Sequence, residues 1–133
     1  MKRVFVDTQY LLALVNPDDQ WHDKAVATAA ASRRLVTTDA VLTEVADALC
    51  QHQHRSLAVR VIEELRADPE VECAHADRAL IEQGLELYRA RADKDWSLTD
   101  CISFALMTAR GLQEALTADH HFEQAGFRAL LRG

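Results

Sequence analysis

Only four glycines and two prolines punctuate 133 residues, so the chain has no flexible linker, collagen-like repeat or low-complexity tract. No apolar run comes near the roughly 18 residues needed to span a bilayer. The start, MKRVFVD, is basic, but its apolar stretch meets Asp7 too early for a signal peptide. A cytoplasmic protein with no membrane association is the expectation. Cys50, Cys73 and Cys101 are isolated and odd in number, which argues against a disulfide framework or a Cys-x-x-Cys zinc cage. Buried thiols in a reducing compartment fit better. Positive charge is scarce as well: 15 Lys and Arg stand against 21 Asp and Glu, for a net charge of -6. That argues against a protein that coats nucleic acid through a broad basic field. It does not exclude an enzyme that gathers acids at one site to hold cations.

What is present is an ordinary globular composition, 49% hydrophobic and 27% charged, in a length suited to one domain with its own core, residues 1–133. Short β-branched runs alternate with longer helical patterns. Strands are expected at Lys2 to Val6, Leu35 to Thr38, Val71 to His75, Glu114 to Ala118 and Phe127 to Leu131. Between them the patterns predict helices over 8–15, 19–34, about 40–52 and 55–67. Asp77 caps one reaching about residue 92, Ser97 caps one reaching Arg110, and a short one covers 119–126. Gly111 stands where a helix end favours a left-handed residue. Such alternation implies right-handed crossovers. The expected fold class is α/β, a three-layer α/β/α sandwich around a mainly parallel sheet. Its ligand crevice would lie beyond the carboxyl ends of the strands, where strand order reverses.

Four acids fall where that crevice would be. The apolar run Val4-Phe5-Val6 stops at Asp7, and the strand ending in Thr117-Ala118 stops at Asp119. Helix capping explains either one alone, because Asp is a favoured N-cap. Asp100 follows Ser97 by three residues, the spacing of a capping box. Glu44 lies at the edge of an apolar stripe formed by Val41, Leu42, Val45, Ala48 and Leu49, while Asp47 points to solvent. A border ion pair would account for Glu44 taken singly. Together the four make a different case, since clustered carboxylates raise one another's pKa and destabilise the fold. Mg²⁺ relieves that repulsion by binding a few carboxylates plus substrate phosphate, and Mg²⁺ or Mn²⁺ activates water for in-line attack. Metal-dependent phosphodiester hydrolysis is the chemistry these residues suggest.

The segments VFVDTQYLLAL, TTDAVLTEVADAL, DWSLTDCISFALM and ALTADHHFEQAGF resemble the PIN-domain family in order and spacing, over essentially the whole chain. The small members they resemble are the VapC-type ribonuclease toxins of bacterial toxin–antitoxin pairs. The resemblance implies a parallel α/β/α sandwich, Mg²⁺ or Mn²⁺ dependence and RNA cleavage. The cleaving protein would be either a toxin with a cognate antitoxin or a stand-alone RNA-processing nuclease. The resemblance places the acidic site on Asp7, Glu44, Asp100 and Asp119. Asp7 and Asp100 would be direct ligands, Asp119 would bind a second ion or act through water, and Glu44 would position or deprotonate the attacking water. Thr8 and Thr99 match positions whose hydroxyls support those ligands, and Asp95 matches a frequently acidic one.

Weaker signals surround these. Arg89, Arg91 and Lys94 lie upstream of Asp100, and Arg33 with Arg34 precedes a strand; either group could grip RNA phosphates or simply favour a helix end. Trp21 and Trp96 read as packing residues, with base stacking the alternative for Trp96. His52 and His54, two apart on a helix, diverge by about 200° and cannot share a metal. His120 and His121 adjoin Asp119, but a Mg²⁺ site has little use for imidazole; RNA contact is the alternative. The segment 51–66 is expected to shape substrate choice or a homodimer face. Leu57, Val61, Leu65 and Leu85 are apolar candidates for that face, with core packing the stronger reading. A phosphatase using Asp7 as nucleophile, by analogy with haloacid dehalogenase-like enzymes, needs an acid two residues on, where Gln9 stands. A phosphorylation receiver needs an Asp ending a central strand, and VECAH lacks one. A non-catalytic interaction module would be signalled by loss of one of the four acids, and all are present.

Overall fold

In the computed structural model, which describes residues 2–133, the run Val4-Phe5-Val6 is the buried part of β1 (Arg3–Val6). Three successive apolar residues suit a strand covered on both faces, and β1 is the central strand. The others are β2 (Arg34–Thr38), β3 (Val71–Ala74), β4 (Glu114–Leu116) and β5 (Arg128–Ala129). Every pairing is parallel, in the order β3-β2-β1-β4-β5, so the sheet is parallel throughout rather than mainly so. The helices are α1 (Thr8–Val15), α2 (His22–Ala29), α3 (Asp39–Ala48), α4 (Arg55–Ala67), α5 (Arg78–Ala90), α6 (Leu98–Arg110) and α7 (His120–Gln124). Strand order runs outward from β1 to β3, then returns to the opposite side for β4 and β5. Right-handed crossovers in both directions put helices on both faces, and the reversal sets the ligand crevice at the carboxyl end of β1.

Several element ends differ from the sequence expectation. The helix expected over 19–34 is only His22–Ala29. Upstream of it, Asn16 Oδ1 accepts the Asp18 amide at 3.0 Å and Asp19 Oδ1 accepts the Trp21 amide at 2.8 Å. Those side chains offer the backbone an alternative to helix. The next helix ends at Ala48, and His52–His54 form a separate 3-10 turn, so His52 is not on the α-helix expected to reach it. Ala48, assigned to the apolar stripe, is exposed, and Ala46 is half-buried instead. Cys101 alone among the cysteines is buried, Cys73 is intermediate and Cys50 exposed, which corrects the expectation of three buried thiols. Among the described residues no helix is long and apolar enough to cross a membrane.

Aromatic packing positions the elements that carry the acids. The Phe104 ring on α6 meets Phe122 on α7 edge-on at 4.9 Å and Trp96 edge-on at 5.1 Å, the geometry the ring quadrupoles favour. Trp96 is 5% exposed and its Nε1 donates to Gln124 Oε1 at 2.9 Å, so it packs, as expected. Gly84 lets α5 press against α6: a Cβ there would stand 2.6 Å from Ile102 Cγ1 and 3.0 Å from its backbone nitrogen. Val61 belongs to the core, with Leu57 and Leu65 packed against it.

Candidate active site

Asp7 directly follows β1 and occupies the N-cap position of α1 with extended backbone, yet its side chain makes no capping hydrogen bond. Its Oδ2 instead accepts the Thr117 hydroxyl at 2.8 Å. The pairing of β1 with β4 sets Val6 beside Leu116 and so brings the two strand ends together. The same Thr117 oxygen accepts the Asp119 amide at 3.0 Å, and Gln9 Oε1 accepts the Ala118 amide. One threonine therefore orients Asp7 and also the turn that carries Asp119.

Asp119 does cap: its Oδ1 accepts the His121 amide at 2.9 Å at the start of α7. Asp100 completes a capping box, its Oδ2 accepting the Ser97 amide at 3.1 Å while Ser97 Oγ accepts the Asp100 amide at 3.0 Å. Capping uses only part of each carboxylate, which offers roughly four lone-pair sites. Both acids line one crevice with Asp7, a volume of about 360 Å³ further bounded by Thr8, Asp19, Glu44, Asp95 and His121. Glu44 arrives from α3, half-buried, with no hydrogen bond or ion pair to its side chain among the described residues. Among the described residues, the border ion pair that would have explained Glu44 is absent.

Burial above all, and then the charges of Asp100 and Asp119, push the Asp7 carboxyl up to about 7, against the opposing pull of the Thr117 hydroxyl. Asp100 is raised too, chiefly by burial and further by Asp119, while the Ser97 amide and the His121 ring act against it. Such a cluster resists full ionisation unless a cation joins it. Beside Asp7, Thr8 Oγ1 is buried without a hydrogen-bond partner among the described residues. Three carboxylates and an unpaired hydroxyl lining one crevice are an oxygen donor set of the kind a divalent cation takes.

Thr117, Asp19 and His121 are members of the site that the sequence did not single out for it. His121 Nδ1 donates to Asp100 Oδ2 at 3.0 Å and lies 3.4 Å from Asp119 Oδ1, so it bridges two acids from different elements. Among the described residues, Asp119, His120 and His121 are the acids and histidines that place one ligand atom each within 4.8 Å of one another. Adjacency to Asp119 was the available signal for the histidines, and the Thr-x-Asp spacing at a strand end was the signal for Thr117. Thr99 is not part of the crevice lining; its carbonyl accepts the Ser103 hydroxyl at 2.9 Å. Arg89, Arg91 and Lys94 line a neighbouring groove rather than the crevice. Arg33 donates to the Thr28 carbonyl at 2.8 Å and Arg34 lies 3.6 Å from Glu70; neither lines the crevice.

An open parallel sheet with carboxylates gathered at its switch point defines an α/β protein with an acidic candidate site at the carboxyl edge. The chain belongs to the PIN-domain family, whose model matches residues 4–128. It is 32% identical over 128 residues to VapC20 of Mycobacterium tuberculosis, named a 23S rRNA-specific endonuclease, covering 93% of this chain and 95% of that protein. The crystal structure of M. tuberculosis VapC20, described as a sarcin-ricin loop cleaving toxin, superposes with a TM-score of 0.87 at 30% identity, covering 93% of this chain and 95% of that one. VapBC2 from Rickettsia felis, solved bound to a DNA fragment from its promoter, shares the fold with a TM-score of 0.67 at 10% identity, over 96% of each chain.

Proposed function

We propose that this protein is a divalent-metal-dependent endoribonuclease that hydrolyses RNA phosphodiester bonds at the acid-lined crevice, and that it serves as the toxin of a toxin–antitoxin pair. The observation that carries the chemistry is Asp7. It is buried, it does not cap its helix, and it is held near neutrality beside two other acids. A carboxyl in that setting destabilises the fold unless a cation compensates it. The toxin role is supported by the similarity to VapC20 along nearly the full length of both chains.

Asp7, Asp100 and Asp119 would hold Mg²⁺ or Mn²⁺, which supplies Lewis-acid stabilisation of the phosphate and a more acidic water when bound. The protein's own contribution is orientation. Each of the three acids has one oxygen fixed by a protein donor: Thr117 on Asp7 Oδ2, Ser97 and His121 on Asp100 Oδ2, and the His121 amide on Asp119 Oδ1. The second oxygens of Asp100 and Asp119 carry no hydrogen bond among the described residues and are available to the crevice. Glu44, unpaired at the rim, orients the attacking water and accepts its proton. Asp95 adds charge at the mouth, and Thr8 offers its hydroxyl to the hydration shell. A restraining antitoxin belongs to the same reading. So does a homodimer, for which Val59 on α4, 53% exposed, offers apolar surface in the segment expected to carry such a face.

The test is cleavage of a mixed RNA pool by wild type and by Asp7→Asn, with Mg²⁺, with Mn²⁺ and with EDTA. Cleavage by the wild type that needs metal and disappears in the variant is the expected result. Two folded proteins, equally inert on every RNA and metal, would overturn the proposal.

A further inference from the structure

We propose that the groove beside the crevice binds an unpaired RNA segment next to the scissile phosphate. Tyr88 stacks one base there, and Arg89 and Lys94 hold the backbone. The proposal rests on the nuclease reading of the crevice and adds to it the kind of strand that enters. The groove, about 710 Å³, shares Asp95 and Ser97 with the crevice, so a strand can pass from one to the other without leaving the surface. Ser97 is also the residue whose amide holds Asp100.

Charge distinguishes this groove from the rest of the molecule. The chain is acidic, with a net charge of -6, yet Arg89, Arg91 and Lys94 line the groove, against Asp95 in its lining and Asp93 beside it. The three cations are not equivalent. The Arg91 guanidinium is forked onto the Asp93 carboxylate at 3.0 and 3.1 Å and lies 5.0 Å over the ring of buried Trp96. Arg91 is therefore part of the groove wall. Lys94 Nζ stands a loose 3.8 Å from the same carboxylate, and Arg89 has no ion pair among the described residues. These two are available to phosphates.

The exposed aromatic in the groove is Tyr88. It is 49% exposed, and its hydroxyl has no hydrogen bond among the described residues. Exposed aromatic faces beside cations form the usual platform for single strands. Trp96, the stacking alternative suggested by the sequence, is buried against Phe104 and cannot take that part. A base that stacks on a side chain must first leave its own helix, so the groove selects unpaired RNA.

Binding in EDTA separates this proposal from catalysis. Fluorescence anisotropy would follow a labelled unpaired oligoribonucleotide and a labelled duplex of equal length on the full chain. The wild type is expected to prefer the unpaired strand, and Tyr88→Ala to weaken that strand about fivefold or more, the lower end for loss of one stacked base, with the duplex unchanged. Arg89→Ala and Lys94→Ala should each flatten the log–log salt dependence for the unpaired strand by about 0.7, the value of one phosphate contact. Arg128→Ala, exposed at the start of β5 on the edge of the sheet away from the crevice, is the control for simple charge loss and should leave the unpaired preference intact. Equal binding of both RNAs, or wild-type affinity in Tyr88→Ala, overturns the proposal. So does a change of mass in sedimentation without a change in RNA binding, which would assign the face to a second copy. Cleavage that survives in the groove variants together with normal binding sinks the groove and spares the nuclease. Groove-dependent binding by a wild type that cleaves nothing does the reverse.

Discussion

Asp7→Asn should stabilise the metal-free protein, and by more as the pH rises. Asparagine keeps the shape of the side chain and an acceptor for the Thr117 hydroxyl, but it carries no charge. In the wild type the carboxyl is raised from 3.8 to about 7 in the fold. Below 3.8 it is protonated in both folded and unfolded chains, so its ionisation has no effect on stability. Between 3.8 and about 7 the folded chain retains a proton that the unfolded chain releases, and stability falls as the pH rises. Above about 7 the loss is complete. At about 1.4 kcal/mol for each tenfold step the full loss is about 4 kcal/mol, of which about 2–3 kcal/mol falls between pH 5 and pH 8. Asp7 is 4% exposed, so solvent screening reduces this little. Urea denaturation in EDTA at the two pH values measures it: the stability gap between variant and wild type should widen by about that 2–3 kcal/mol. Saturating Mg²⁺ should then stabilise the wild type, by about 2.7 kcal/mol at a hundredfold excess over its dissociation constant, and should do much less for the variant. A gap independent of pH, or a variant less stable than wild type at pH 8, would mean that Asp7 is an ordinary carboxylate with no need of a cation.

Gly84→Ala should destabilise by about 1–3 kcal/mol through overpacking, since its Cβ would meet the side chain and backbone of Ile102, and should reduce cleavage because Ile102 lies two residues beyond Asp100 on α6. A rise in Tm, the ordinary consequence of replacing glycine inside a helix, would show that the helices are not in close contact there. Thr117→Val removes the donor to Asp7 and the acceptor for the Asp119 amide. A loss of about 1–3 kcal/mol is expected, with initial cleavage rates falling even at temperatures where the variant is fully folded. Glu44→Gln should change stability by less than about 0.5 kcal/mol, because the side chain has no partner to lose, while cleavage falls about a hundredfold or more. Single-turnover kinetics beside a thermal melt separates those two effects.

Much of the fold was legible because its signals are local. An apolar run ending at Asp7, a Ser97-x-x-Asp100 cap and Gly111 closing α6 each act over one turn of chain, and all three stand where expected. Local signals failed where side chains competed for the backbone, as around Asn16 and Asp19, and where an α-helix expected to run through His52 stopped at Ala48. The same limit applies to the arginines: Arg91 and Arg89 look alike in sequence, and contact with Asp93 and Trp96 is what separates them.

By itself the sequence determined the alternation of strands and helices, hence a parallel sheet, and the four acids that fall near its carboxyl edge. Periodicity and strand-end position are properties of the chain and need no partner. It could not say that Asp7 leaves its helix uncapped while Asp119 caps its own, since each follows a strand and precedes a helix. That was decided by the pairing of β1 with β4 and by the docking of α7, which bring Thr117 to Asp7 and His121 to Asp100. Burial and the repulsion between carboxylates exist only once those distant segments meet, and they are what turns three helix-start acids into one acidic crevice.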